Sequence, residues 1–120
     1  ILYVNSLWSG LVRYGGIVMN EKTEALMRTL KTEAVTVIHS AFEESPRKVA
    51  LVDVDKSLSD MDKLEMAFML TNSIDDAWWN NTEVTKMFDS EGCRSTSTGD
   101  FILVGDVKYK CEAAGWSKVQ

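Results

Sequence analysis

The C-terminal segment constrains the fold more than any other part of the sequence. Two β-forming runs, residues 101–104 and 107–111, flank Gly105-Asp106, and a two-residue loop that begins with glycine is typical of a tight β-hairpin. This register places Ile102 opposite Tyr109 on one face, with lysines on the other. One apolar and one polar face are typical of an antiparallel sheet that covers a core on one side.

The other strand and helix signals are weaker. Residues 1–8 and 11–19 are rich in β-formers and predict a strand pair, with Gly15-Gly16 as a bulge or close backbone approach in the second strand. Residues 48–54 predict a central strand, and Ser59 is a good N-cap for a helix that follows it. Residues 73–100 show no sustained period, apart from a short element around residues 84–88.

The segment between the strand pair and the central strand predicts one long helix. Asn20 is a good N-cap, and apolar residues recur behind it at helical spacing to about Glu44, before Ser45-Pro46 ends the pattern. The β-branched residues 35–38 would also suit a strand. Because no helix breaker interrupts the apolar stripe, we predict a single helix.

These patterns together predict an α+β fold. We expect residues 1–120 to form a single domain, because the length is near the commonest for one domain and no linker divides the chain. The predicted antiparallel sheet contains the N-terminal strand pair, the central strand and the C-terminal hairpin, with two helices on one face. An open sheet edge and surplus tryptophans make a homo-oligomer plausible.

Charge and cysteine content narrow the classes of function. The net charge of −5 argues against general nucleic-acid binding, because phosphate contacts require clustered Lys and Arg. No segment is typical of a signal peptide or a membrane span, so we expect a cytoplasmic protein whose cysteines, Cys93 and Cys111, are reduced. No His/Cys spacing indicates a metal site, and no motif indicates a cofactor.

One acidic motif resembles a phosphoryl-transfer site. Asp53-Val54-Asp55-Lys56-Ser57-Leu58 is similar to the first motif of haloacid-dehalogenase-type phosphatases. The resemblance implies a nucleophilic Asp53, an acid/base Asp55 and Mg²⁺. The rest of the chain is too short for the doubly wound sheet of that family. The alternative is a strand end that leads into a helix, whose dipole favours nearby acidic residues.

The segment 78–100 holds the candidate recognition residues. Adjacent tryptophans cannot both face one core, so at least one is expected to pack elsewhere or remain partly exposed. The polar loop before the hairpin supplies a guanidinium, hydroxyls and backbone amides, which are the components of an anion site. The predicted binding residues are Trp78, Trp79, Asn80, Asn81, Arg94, Ser95, Thr96 and Ser97. In the alternative interpretation the hydroxyls cap turns and Arg94 pairs with a nearby carboxylate.

Two further polar residues are expected to be unremarkable. His39, the only histidine, lies off the centre of the helical stripe and is expected to be a plain, partly buried or exposed residue. Cys93 lies in a loop, and the sequence has no second histidine that could activate it, so we do not expect a reactive thiol.

Residues 64–119 resemble small accessory proteins carried by tailed phages and plasmids. The matching segments are Ala67–Asp75, Trp78–Asn81, the box Arg94–Asp100 and Gly115-Trp116, with Thr98 where that group usually has Val. The resemblance implies a phage-like source and a host-directed, early-expressed role, such as host takeover or anti-defence. It implies no particular activity.

The first functional prediction is therefore non-enzymatic binding of a host protein. A binder or sponge of a small anionic, nucleotide-like ligand is the second. A virion structural component and a small Mg²⁺-dependent phosphoryl-transfer enzyme are the remaining alternatives.

Overall fold

A computed structural model describes residues 4–5, 11–14 and 17–120. The helices are α1 (Glu21–Lys31) and α2 (Asp60–Leu70), and a 3₁₀ turn spans Trp78–Asn80. The strands are β1 (Val4–Asn5), β2 (Leu11–Tyr14), β3 (Ile17–Asn20), β4 (Thr32–His39), β5 (Arg47–Asp55), β6 (Val84–Lys86), β7 (Phe101–Val104), β8 (Val107–Glu112) and β9 (Gly115–Lys118). Among the described residues, no helix is long and apolar enough to cross a membrane.

The strands form two antiparallel sheets, and the predicted α+β class is confirmed. The smaller sheet has the order β1-β2-β3, and the larger has the order β6-β5-β4-β7-β8-β9. The prediction that the N-terminal strands join the main sheet is therefore wrong. The predicted strand 11–19 is two strands, β2 and β3, and Gly15-Gly16 lies outside the described residues.

The two helices were predicted to lie on one face of a single sheet, but they contact different sets of strands. Helix α1 contacts β2 and β3 of the smaller sheet, and it also contacts β4, into which it leads directly. Helix α2 packs on β4, β5 and β7. It covers one face of the larger sheet, where Leu64 and Ala67 are completely buried.

The predicted long helix is correct for its first half only. The Asn20 side chain accepts a hydrogen bond from the Thr23 amide at 2.9 Å, as an N-cap does. The helix ends at Lys31, and residues 32–39 form β4, between β5 and β7. Val35 and Val37 alternate on the face toward α2 and are fully buried, which suits β-branched residues in a central strand. The apolar spacing was compatible with both structures, and long-range strand pairing decided between them.

The C-terminal hairpin has the predicted register. Ile102 lies opposite Tyr109, and Val104 lies opposite Val107 across the turn. Ile102 is completely buried and Tyr109 is 5% exposed, so this face of the hairpin packs into the core. The central strand and α2 are also confirmed, and the Ser59 hydroxyl accepts the Asp62 amide at 3.2 Å.

The acidic motif, which begins in the last residues of β5, has a local structural role. Strand β5 is antiparallel to both neighbours, unlike the strands in the parallel sheet that the phosphatase resemblance implies. The Asp55 Oδ1 atom accepts hydrogen bonds from the Ser57 amide (2.8 Å) and hydroxyl (2.7 Å). This Asx turn holds the pKa of Asp55 below its usual value and leads the chain toward α2. The alternative interpretation of the motif describes the observed structure.

Candidate functional site

The box at residues 94–100 is organised around the buried carboxylate of Asp100, which has no solvent-exposed surface. Its Oδ1 atom accepts hydrogen bonds from the amides of Ser40 (2.8 Å) and Ala41 (2.9 Å), and its Oδ2 atom accepts one from Ser97 (2.8 Å). Burial alone would raise the pKa of Asp100, but these bonds and those from Arg94 outweigh it and hold the pKa below its usual value. The carboxylate therefore ties the β4–β5 connection to the start of β7.

Arg94 binds the same carboxylate from the other side. Its terminal nitrogens form a bidentate pair with Asp100 at 2.7 and 2.9 Å, and its Nε donates to Glu43 at 3.3 Å. It also donates to the carbonyl oxygens of Ser95 (3.0 Å) and Ala41. The hydrogen bonds to Asp100 raise the pKa of Arg94. Each guanidinium nitrogen thus has an acceptor within the chain, as the alternative interpretation of this residue describes.

Three further backbone amides of the box, besides that of Ser97, are also bound within the chain. The Thr96 amide donates to the Thr71 carbonyl (3.0 Å), the Gly99 amide to Cys111 (2.8 Å) and the Asp100 amide to Ser97 (3.0 Å). The Ser95 hydroxyl accepts a hydrogen bond from the Ser73 amide at 2.9 Å. These groups hold the box to its neighbours and are not directed at an open anion site.

His39 is fully buried beside the box, so the expectation of a plain, partly buried or exposed histidine is wrong. Its Nε2 lies 3.0 Å from the Thr96 hydroxyl and 3.9 Å from an Asp100 carboxylate oxygen. The Thr96 hydroxyl in turn lies 2.8 Å from that of Thr71. Burial lowers the pKa of His39 to about 4, so the ring is neutral at physiological pH. The expectation failed because residue 39 ends a central strand, not a helix turn.

The structure places Cys93 next to this histidine. The Cys93 sulfur lies 3.6 Å from His39 Nδ1, although the sequence pattern offered no reason to pair them. Burial raises the pKa of the Cys93 thiol. A protonated thiol beside a neutral imidazole is a poor nucleophile, because the thiolate is the reactive form. Among the described residues, no group of three or more His, Cys, Asp or Glu side chains forms a metal site.

The paired tryptophans have different environments. Trp78 is 1% exposed, and its indole N–H donates to the carbonyl oxygens of Cys93 (3.2 Å) and Arg94 (3.0 Å). Trp79 is half-buried and packs edge-on against Trp78 and Phe88, with ring centres 5.4 and 5.5 Å away. Trp78 thus pins the segment before the box to the core.

The paired asparagines bond to other parts of the chain. Asn81 donates from its side chain to the Leu70 carbonyl at 2.8 Å, at the end of α2. Asn80 is exposed and donates to Asp76 at 3.2 Å. Of the predicted residues, the structure therefore brings Trp78 and residues 94–97 together, whereas the asparagines stabilise the segment after α2.

The outermost feature that the box supports is a turn over residues 40–43, here called the Phe42 turn. The Glu43 amide donates to the Ser40 carbonyl at 3.2 Å, and Phe42 has a φ of 63°. Phe42 is therefore the third residue of a β-turn with a left-handed backbone, a conformation that glycine usually supplies. The Phe42 side chain is 87% exposed, with its ring 5.3 Å from the Arg94 guanidinium carbon.

The sequence did not reveal this turn. Residues 40–43 fell within the predicted helix, where Phe42 belonged to the apolar stripe. The sequence indicated only the residues that hold the turn, since Arg94 and Asp100, at the two ends of the box, carry opposite charges. A left-handed, exposed aromatic residue is an unusual feature, and such strain concentrates at functional sites.

No family model matches this chain, and no curated protein and no solved structure matches it significantly. The resemblance to phage and plasmid accessory proteins therefore stays a prediction, as does the homo-oligomer.

Proposed function

We propose that this chain is a phage-type accessory protein that acts in the host cytoplasm by binding a host protein, without catalysis, and that Phe42 is its anchor residue. The observation that carries the proposal is the exposed, left-handed Phe42 on a turn that buried polar groups hold in place. The resemblance of residues 64–119 to accessory proteins of tailed phages and plasmids supports the biological setting.

The Phe42 turn costs folding energy, and within the chain the ring gains only a surface contact with the Arg94 guanidinium. A left-handed conformation costs an L-residue roughly 1–2 kcal/mol, and an exposed ring contributes almost no burial. Two amides in the connection, those of Ser40 and Ala41, bind the buried Asp100 and offset this cost. A rigid aromatic side chain loses little entropy when it enters a pocket, and aromatic residues are frequent anchors of protein interfaces.

The geometry favours a protein partner over a small anion. An anion site at the box would need free donors, but the Arg94 nitrogens and the amides of residues 96, 97, 99 and 100 already have acceptors within the chain. The accessible feature above the box is apolar and aromatic. A partner with an apolar pocket is the complement of such a feature.

Affinity purification from lysate of the natural host tests the proposal. We expect the wild-type chain to retain one host protein in stoichiometric amount and Phe42→Gly to lose it. Glycine removes the ring and suits the left-handed backbone, so this variant should fold at least as well as the wild type. The matched control Phe42→Tyr keeps an aromatic ring and should keep the partner.

Two results would contradict the proposal. Equal retention of the host protein by the wild type and Phe42→Gly would show that the turn is not the anchor. A small anionic ligand retained in native mass spectrometry, with no host protein bound, would instead favour the ligand-binding alternative.

A further inference from the structure

The outward face of α2 carries exposed methionines. Met61, Met66 and Met69 are 46%, 36% and 53% exposed, respectively. At about 100° per residue, Met66 and Met69 lie on the side of the helix away from the buried Leu64 and Ala67, and Met61 lies at the edge of that side. Exposed methionine is costly to leave in water, and its flexible thioether adapts to varied partner surfaces.

A further apolar side chain is exposed after the end of the helix. Ile74, four residues after Leu70, is 83% exposed. The Ser73 amide before it donates to the Ser95 hydroxyl at 2.9 Å, which fixes this connection against the box. The methionines and Ile74 therefore belong to one ordered stretch, residues 60–76, whose helix is about 16 Å long.

The charges along this stretch have one sign at the surface. Its only basic residue, Lys63, is 8% exposed and paired with Glu33. Its acidic residues are all exposed: Asp60, Asp62, Glu65, Asp75 and Asp76. Two of them also accept a hydrogen bond within the chain, Asp60 from the Tyr109 hydroxyl (3.0 Å) and Glu65 from the Trp116 indole (2.8 Å). The complement of such a surface is a partner surface that is both apolar and cationic. The apolar groups of the partner would cover the methionines, and its cations would lie beside the surrounding carboxylates.

We infer that the outward face of α2 is a docking site for an amphipathic helix of a partner protein, with lysine or arginine beside its apolar stripe. Glu65 lies between Met61 and Met69 at four-residue steps, which gives a ridge that a second helix can pack beside. The same carboxylates would repel phosphates of nucleic acids and anionic lipids. This surface is separate from the Phe42 turn and does not depend on it.

The chain's methionine methyl groups provide a direct test. The sequence has six methionines, and the methyl groups can be labelled with ¹³C and followed by NMR. The probes are two helical peptides with the same leucine stripe, one flanked by lysines and one by glutamates. We expect the lysine-flanked peptide to shift the methyl signals of Met66 and Met69, and the shift to weaken as salt is added. The Met87 signal, from an exposed methionine directly after β6, should not move.

Matched variants complete the test. Met66→Gln and Met69→Gln keep side-chain length and helix propensity, so the fold should persist, and each should weaken peptide binding about tenfold. Met87→Gln and Phe42→Gly should leave peptide binding unchanged. The inference fails if the glutamate-flanked peptide binds equally well, if the lysine-flanked peptide shifts no α2 methyl signal, or if Met87→Gln weakens binding as much. It also fails if the α2 signals broaden with protein concentration alone, because a second copy would then occupy the face.

Discussion

Two turns of the larger sheet place a residue in the left-handed region by different means. In the β7–β8 turn the residue is Gly105, with a φ of 58°. In the β4–β5 connection it is Phe42, with a φ of 63°. Glycine takes this conformation without steric cost, whereas a bulky residue does not. The first turn needs only its own two residues, and the second needs Asp100 and Arg94 from far along the chain.

The difference indicates where the chain accepts strain. Glycine at residue 42 would remove the steric cost of the left-handed backbone. The chain has phenylalanine there, and buried hydrogen bonds to Asp100 hold the turn in place. The Gly105 turn connects two strands and presents no apolar side chain. The Phe42 turn presents an aromatic ring to solvent, and this asymmetry supports a binding role for the second turn.

The largest expected effect is at Asp100. We expect Asp100→Asn to lower the free energy of unfolding by about 3–5 kcal/mol, because it removes the partner of the partly buried Arg94 and turns an amide group toward existing donors. Denaturant unfolding measures this change. The matched control is Asp106→Asn in the exposed β7–β8 turn, which should change stability by less than about 0.5 kcal/mol. Equal effects of the two variants would show that the buried carboxylate does not organise the connection.

The hairpin register gives the next effect. We expect Ile102→Ala to cost on the order of 2–4 kcal/mol, because the side chain is completely buried and its loss leaves a cavity. Lys108→Ala, on the opposite face, should cost little, since only its contact with the Phe101 ring is lost. Thermal or denaturant unfolding compares them, and similar small values would refute the register.

The pH dependence of stability reports on His39. Its pKa is about 4 in the folded chain and about 6.5 when unfolded, so only the unfolded chain binds the proton between these values. Stability should therefore fall as pH is lowered from 6.5 toward 4, by up to about 1.4 kcal/mol per pH unit. His39→Gln should flatten the slope between pH 6.5 and 5. An NMR titration of the single histidine with a midpoint near 6.5 would contradict the burial of the ring.

The smallest effects compare the two turns directly. Gly105→Ala should cost about 1 kcal/mol, because a Cβ there has no neighbour within 4 Å but the backbone stays left-handed. Phe42→Gly should stabilise the chain by roughly 0.5–1 kcal/mol, because relief of the left-handed strain outweighs the lost contact of the ring with Arg94. Paired unfolding curves measure both changes. Destabilisation by Phe42→Gly would mean that the ring supports the fold, and its exposure would then be no argument for binding.

The elements predicted correctly are those whose signals are local. The hairpin follows from Gly105-Asp106 and the alternation around it, and α2 follows from its Ser59 cap. Strand β4 was mistaken for helix because its spacing of apolar residues fits both periods, and pairing with β5 and β7 decides the outcome. The separation of the strands into two sheets likewise has no local signature.

The candidate site was predictable only in part. The box was recognised as a polar segment that contains Arg94, but its donors turned out to bind within the chain. The partners His39 and Phe42 were missed because both depend on where β4 ends. A contact between residues 40 and 100 is invisible to periodicity, which reports only on near neighbours in the sequence.

The amides of Ser40 and Ala41 test most directly whether the buried carboxylate holds the Phe42 turn rigid. Hydrogen exchange followed by NMR measures how often their bonds to Asp100 open. We predict that both amides exchange as slowly as the paired amides of β4, although they lie in a connection between strands. Exchange as fast as that of the exposed Glu44 in the same connection would contradict the account, because the turn would then be mobile and Phe42 would not be held for binding.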